Sequence, residues 1–352
     1  MKILIVKLGA IGDIVHTLPA LAAIREAFPT ANVAWAVEKR SADILRGNPL
    51  IDELIEVDTK GLRGGKALSG VQKLGRQVSE IKKNGFDIAI DFQGLLKSAA
   101  VAKLLGARLR WGFSRGNLRE PASRILLTNT VDIPPKTHVI TKNLTLASEA
   151  LGIAMPNGDL RFPMATDEVH RDEAAKIIES AGQKFAILNP AGGWVTKLWP
   201  AERFGQLADE IWERHGLVSL VATGPKENAL SEAAISSSRS GKAIPVRPSL
   251  KGFYELARSA SIYIGGDTGP THLAVAAGTP VVGIFGPTEW WRNGSPNPQD
   301  ICVERLDIGC RTDCHRRKCS NWICMEISVE TVATAVNRRL DNSGQNQRKN
   351  TQ

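Results

Sequence analysis

MKILIVKLGAIGDIVH, residues 1–16, sets an apolar run from Ile3 to Val6 against a glycine-bearing turn at Gly9 to Gly12. A short continuous apolar run has the length of a strand buried on both faces, and the residues beyond the turn follow helical spacing through Phe28. Pro19 interrupts that spacing unless it lies in the first turn of the main helix behind Thr17 as N-cap, with Asp13 to His16 as a preceding turn. Strand, glycine turn and helix together open a βαβ unit. The same alternation continues with a strand at Val33–Val37, a helix, a strand near Leu54–Val57, and a strand at Asp87–Asp91 behind an amphipathic helix. Strands alternating with helices predict an α/β domain, a parallel sheet covered on both faces.

Between Met155 and Asp167 the pattern lapses into MPNGDLRFPMATD, then restarts with a helix at Glu168–Ala181 and strands at Phe185–Asn189, Val218–Thr223, Ile262–Gly265 and Val281–Phe285. A chain of 352 residues exceeds the roughly 250–300 at which one core stops growing, which agrees with that break. The expected organisation is two facing, doubly wound Rossmann-like domains, residues 1–160 and 168–335, with a polar tail at 342–352. Ligands of such sheets bind beyond the carboxyl ends of the strands, so the gap between the halves is where chemistry is expected.

A hydrophobic share of 43%, with 32 Gly and 18 Pro, excludes a disordered or fibrous chain. No window approaches the roughly 18 apolar residues of a membrane span, and the N-terminus lacks the order of a secretory signal, so a cytoplasmic location is expected. The 45 Lys and Arg exceed the 36 Asp and Glu by nine charges, a balance that favours anionic ligands. Nucleic acid is not the expected one, because zinc-finger spacing is absent and only 5% of residues are aromatic.

Four turns carry candidate chemistry. Lys7-Leu8-Gly9-Ala10-Ile11-Gly12-Asp13 has G-x-x-G followed by an acid rather than the dinucleotide G-x-G-x-x-G. Asp13 is therefore either a general base for a substrate hydroxyl or a cap on the following helix. In Gly265-Gly266-Asp267-Thr268-Gly269-Pro270-Thr271-His272 a strand runs into a helix whose free N–H groups suit a phosphate; the alternative is a turn merely capped by Asp267 or Thr268. Phe285-Gly286-Pro287-Thr288 would line the same edge. Lys197, ahead of a helix in Lys197-Leu198-Trp199-Pro200, either neutralises a leaving phosphate or is solvated, and Trp199 reads as a packing plug. Glu227, after Thr223-Gly224-Pro225-Lys226, either accepts from ribose hydroxyls or favours a helix N-terminus by its charge.

Taken in order, K-x-x-x-x-G-D-x-x-H-T-L-P from Lys7, K-x-W-P from Lys197 and D-T-G-x-x-H-L-x-x-A-A from Asp267 resemble glycosyltransferase family 9, the ADP-heptose:lipopolysaccharide heptosyltransferases, from residue 1 to about 335. Asp91-Phe92-Gln93-Gly94-Leu95-Leu96-Lys97-Ser98 and Arg119-Glu120-Pro121 resemble its type I branch. The resemblance implies a GT-B fold with an N-terminal acceptor domain, a C-terminal nucleotide-sugar domain and a final helix that crosses back. It implies Asp13 as catalytic base; Lys197, Glu227, Asp267, Thr268, Gly269 and His272 as donor-binding; and Lys7, Lys97, Arg119 and His138 as acceptor-binding. The basic stretch Lys60, Arg63, Lys66 resembles a mobile acceptor-binding segment.

By the same resemblance the partners are an ADP-sugar donor and an anionic lipopolysaccharide precursor, Kdo–lipid A, at the inner face of the cytoplasmic membrane. Transfer would invert the sugar carbon without a metal or other cofactor; type II transfer to a heptosylated core, a sugar-nucleotide epimerase or hydrolase, and a non-catalytic nucleotide-sugar module are the alternatives. One stretch stands apart: Cys310, Cys314, Cys319 and Cys324 form C-x3-C-x4-C-x4-C around His315, which reads as reduced structural thiols, a metal site without the usual C-x2-C pairs, or a disulfide.

Overall fold

A computed structural model of the chain describes residues 1–58, 85–182, 184–310, 314 and 316–349, the side chains only as far as 342. The amphipathic helix expected before Asp87, the Lys60–Lys66 stretch and His315 lie outside the described residues. The chain divides into two compact units, Met1–Ala165 and Thr166–Gln352.

In the first unit the strands are β1 (Lys2–Val6), β2 (Asn32–Glu38), β3 (Glu53–Val57), β4 (Ile88–Asp91), β5 (Leu109–Phe113) and β6 (Asn129–Val131). All pair in parallel in the order β3-β2-β1-β4-β5-β6, with Val6 opposite both Ala36 and Asp91. The opening helical pattern is two helices, α1 (Ile11–Val15) and α2 (Leu18–Ala27), so Gly12 belongs to a helix and not to the turn. Thr17 is the N-cap residue of α2 with Pro19 in its first turn, but its hydroxyl donates back to Asp13 O at 2.9 Å instead of capping. The helix expected after β2 is a 3₁₀ helix, Lys39–Leu45. Helices α3 (Leu96–Leu104) and α4 (Val139–Leu151) complete the described layers.

The second unit repeats the plan. After α5 (Glu168–Ala181) come β7 (Phe185–Asn189), α6 (Ala201–His215), β8 (Val218–Ala222), α7 (Asn228–Ser236), β9 (Ala243–Val246), α8 (Leu250–Ser259), β10 (Ile262–Gly265), α9 (Gly269–Ala276), β11 (Val281–Phe285), α10 (Trp290–Asn293) and β12 (Ile301–Glu304). The sheet is again parallel, β12-β11-β10-β7-β8-β9. Relabelled from its own first strand, this is the 3-2-1-4-5-6 order of the first sheet and of the dinucleotide-binding domains. The last helix, α11 (Val329–Lys349), packs on α6, β11 and β12. Buried Arg339 on α11 donates to buried Asp300 at 2.8 Å, which also accepts from Val281 N, and so locks the helix to this sheet.

Each sheet reverses its strand order once, between β1 and β4 in the first and between β7 and β10 in the second. At such a switch point adjacent connections leave to opposite faces, and a crevice opens above the strand ends. The chain emerging from β1 carries Lys7 to Asp13, and that from β4 carries Phe92 and Gln93. Residues 190–197 leave β7, and residues 266–272 leave β10. The candidate motifs therefore stand where doubly wound sheets bind ligands.

Candidate active site

At the first switch point two side chains hold the glycine turn in place. Gln93 Oε1 accepts from Leu8 N at 3.0 Å and Gly9 N at 3.3 Å, and buried Lys7 donates from Nζ to Phe92 O at 2.9 Å. The β4 loop thus grips the β1 loop. Gly9 has φ +144°, where an L side chain is strained, and a Cβ there would stand 3.0 Å from Ser41 Oγ. Asp13, half-buried on α1, accepts from Ala10 N at 3.2 Å; Ala10 is the N-cap residue, so Asp13 reinforces the helix start from its third position.

Asp91 is the fully buried acid of this corner. It accepts from Gln93 N at 2.9 Å, Gly94 N at 3.3 Å and Ser98 Oγ at 2.9 Å. Burial raises its pKa to about 6 against those hydrogen bonds and the Lys7 charge. The unfolded chain releases this proton near 3.8 and the folded chain near 6, so the folded state holds an extra proton between those values. Stability is consequently greatest below the unfolded value and falls as pH rises through the folded one, by about 3 kcal/mol at most. Denaturant midpoints from pH 4 to 6.5 are expected to drop for the wild type relative to Asp91→Asn, and parallel curves would contradict the assignment.

The residues expected to serve the acceptor differ in their surroundings. Lys97 pairs with buried Glu38 at 2.5 Å, and Glu38 also accepts from Arg40 at 2.7 Å, so the charge of Lys97 is shared at the end of β2. His138 caps α4, its Nδ1 accepting from Ile140 N at 3.2 Å, and its ring lies 6.1 Å edge-on from buried His16, three residues past Asp13. Arg119 is exposed on the loop after β5. Lys7, Asp13 and His138 thus share one corner through the α1 turn. Lys97 is instead tied to Glu38 at the end of β2. Asp91 and Gln93 stand in the Asp91–Ser98 motif without a role assigned by it, and Glu38 lies in no motif at all; all three build this site.

The second switch point is built on Asp267, which is buried and surrounded by donors. Lys197 Nζ pairs with Oδ2 and donates to the Asp267 carbonyl at 3.2 Å; His272 Nε2 lies 3.3 Å from Oδ1; and Asn293 Nδ2 donates to Oδ1 at 2.5 Å. Burial alone would raise this carboxyl, but the His272 hydrogen bond and the Lys197 charge outweigh it and hold it well below the usual carboxylate range. Lys197 is mostly buried, which rules out the solvated alternative. Thr268 is the N-cap residue of α9, yet its side chain makes no capping bond and lies 3.2 Å from Thr271 Oγ1; Pro270 has no N–H and His272 N donates to Thr268 O at 3.4 Å, so the N–H groups of Gly269 and Thr271 are the ones this first turn can offer an anion. Glu227, the N-cap residue of α7, accepts from Gly224 N at 2.6 Å. Trp199 is buried in the core against Phe204 and donates to Ile327 O at 2.9 Å.

All five cysteines are free thiols. Cys310, Cys314, Cys319 and Cys324 line one cavity of about 80 Å³ with Thr196 and Pro287, and burial together with the neighbouring thiols pushes the Cys324 thiol up. Among the described residues no three His, Cys, Asp or Glu side chains are arranged to hold a metal ion. The turn after β11 lies beneath this stretch: a Cβ at Gly286 would collide with Met325 and stand 3.2 Å from Cys324 Sγ. Among the described residues no helix is long and apolar enough to cross a membrane.

Two Rossmann-like units in one chain, each with charged residues gathered at its switch point, are the construction of the GT-B glycosyltransferases. A profile of glycosyltransferase family 9 (heptosyltransferase) matches residues 72–323, and the chain belongs to that family. Lipopolysaccharide heptosyltransferase 1 of Pseudomonas aeruginosa is 28% identical over 82% of this chain and 79% of its own length. A type 3 enzyme of Escherichia coli K12 is 25% identical over 81% and 83%. The crystal structure of a family 9 protein from Veillonella parvula shares the fold with a TM-score of 0.82 at 23% identity over 97% of both chains. Escherichia coli heptosyltransferase WaaC with ADP-2-deoxy-2-fluoro heptose gives 0.74 at 22% identity over 97% of this chain and 100% of that one.

Proposed function

We propose that the chain moves heptose from ADP-L-glycero-D-manno-heptose to Kdo–lipid A in the inner core of lipopolysaccharide, with inversion at the sugar carbon. One observation carries this reading: the two switch points hold complementary chemistry, a half-buried carboxylate in the first unit and a lysine beside an uncapped helix start in the second. In the reaction the acceptor oxygen bonds to the anomeric carbon as its proton passes to Asp13. The bond from that carbon to the diphosphate breaks, and ADP leaves with the electron pair. Lys197 and the N–H groups after Thr268 meet the charge that develops on the leaving group, usually the largest catalytic contribution. Glu227 binds the nucleoside, with Asp267, Gly269 and His272 shaping the donor turn. Lys7, Lys97, Arg119 and His138 serve the acceptor. Neither step calls on a divalent ion.

The type I acceptor is favoured over types II and III by the Asp91–Ser98 and Arg119–Pro121 stretches, and the excess of nine positive charges suits a phosphorylated lipid at the inner face of the cytoplasmic membrane. An ADP-release assay in chelator, with ADP-heptose and either Kdo–lipid A, heptosylated core or no acceptor, tests the reading. Release is expected with Kdo–lipid A alone, faster when the acceptor sits in anionic vesicles, with that advantage lost as salt screens it. Release with heptosylated core alone would replace the acceptor. Turnover without acceptor would make the protein a hydrolase or epimerase, and none under any condition a binding module.

A further inference from the structure

The donor turn is electrically balanced before any donor arrives. Lys197 and Asp267 form a buried pair whose charges sum to zero, so Lys197 offsets its own carboxylate and a diphosphate with several negative charges calls for a further cation. Arg316-Arg317-Lys318, inside the cysteine stretch, lies against the Trp194–Lys197 segment that carries the lysine of this pair. Thr196 Oγ1 donates to Arg316 O at 2.6 Å, and Trp322 Nε1 donates to Thr196 O at 2.9 Å, which fixes the segment to the residue beside Lys197 from both sides. The Arg317 guanidinium stands 5.1 Å from the Trp194 ring centroid, and the same ring has Lys197 Nζ at 4.3 Å. One aromatic ring therefore gathers two cations, and no carboxylate among the described residues pairs with Arg317.

We propose that Arg317 is a second cation for the donor diphosphate, positioned on Trp194 so that its charge supplements that of Lys197. The indole lets the guanidinium approach another cation without a neutralising acid, because the ring face attracts positive charge. A planar fork of N–H donors also suits phosphate oxygens better than a point charge does. Cys310, Cys314, Cys319 and Cys324 line the cavity next to Thr196, on the segment that carries Arg317. This inference rests on the reading of Lys197 and the Asp267–Gly269 turn as the diphosphate site.

Titration of the full chain with ADP and with adenosine, which lacks phosphate, separates the possibilities. Arg317→Gln is expected to weaken ADP roughly 10-fold, as for one charge-assisted hydrogen bond, to leave adenosine unchanged and to flatten the salt dependence of ADP binding. Arg317→Lys is expected to recover part of the loss. Because Arg317 is exposed, the melting temperature should not move, so a loss of affinity is not a loss of fold. Unchanged ADP affinity in Arg317→Gln, or equal losses for ADP and adenosine, would overturn the inference. Lys197→Met is titrated in parallel: if it weakens ADP while Arg317→Gln does not, Arg317 alone is excluded. If neither does, the diphosphate site itself is misplaced.

Discussion

Asp13→Asn is expected to lower acceptor-dependent ADP release by about 10²–10⁴-fold, the usual contribution of a positioned general base. The substitution is informative because it is nearly silent structurally. Asp13 accepts one backbone bond, from Ala10 N at 3.2 Å, and the amide oxygen of Asn can accept the same bond. The glycine turn is held independently by Gln93 and Lys7, neither of which touches the Asp13 carboxylate. What Asn removes is the capacity to take a proton. Donor affinity should stay within about twofold, since a loss confined to the transition state lowers kcat without changing ground-state binding. ADP titration and single-turnover release on the same preparation read both quantities. A fall in ADP affinity as large as the fall in rate would mean damage beyond the base, and unchanged release would end the role of Asp13.

Much of this corner is legible from sequence because it is local. A continuous apolar run ended by glycine or proline marks a strand buried on both faces, which is why β7, β10 and β11 coincide with their expected bounds. The strands without a clear sequence signal are those toward the sheet margins. β5 is half-exposed at its start, β6 has three residues, and β9 carries Pro245, which edge strands tolerate. β12, on the opposite margin, is only partly buried, so its apolar signal is weak as well. The same distinction divides the site. Asp13, Lys197 and Asp267 stand in compact motifs, but their surroundings are assembled over distance: Asn293 reaches Asp267 from 26 residues away and Glu38 meets Lys97 from 59. Nothing in local spacing encodes such partners, because they depend on the order in which the strands pair. The folding of Arg317 onto Trp194 was hidden for the same reason, the two being brought together by Thr196 and Trp322.

Lys197→Met is expected to cost about 3 kcal/mol of stability, the lower end for removing one partner of a buried ion pair. The lower end applies because Asp267 keeps two other donors, His272 at 3.3 Å and Asn293 at 2.5 Å. The variant should also weaken ADP by about 100-fold, since it removes a phosphate contact and leaves the Asp267 carboxylate facing the anion without its counter-charge. These effects differ in their dependence on pH. The folded-state pKa of Asp267 lies below its ordinary value, so the stabilisation it provides is complete above that value and is lost as pH falls through the folded one. Without Lys197 the folded-state pKa rises toward normal, and acid unfolding should begin at a higher pH than in the wild type. Asp267→Asn combined with Lys197→Met leaves no unpaired charge and should regain part of the stability while ADP binding stays weak. Recovery of both would show that Lys197 acts only on the fold; recovery of neither would show that the pair is not the electrostatic centre of the turn.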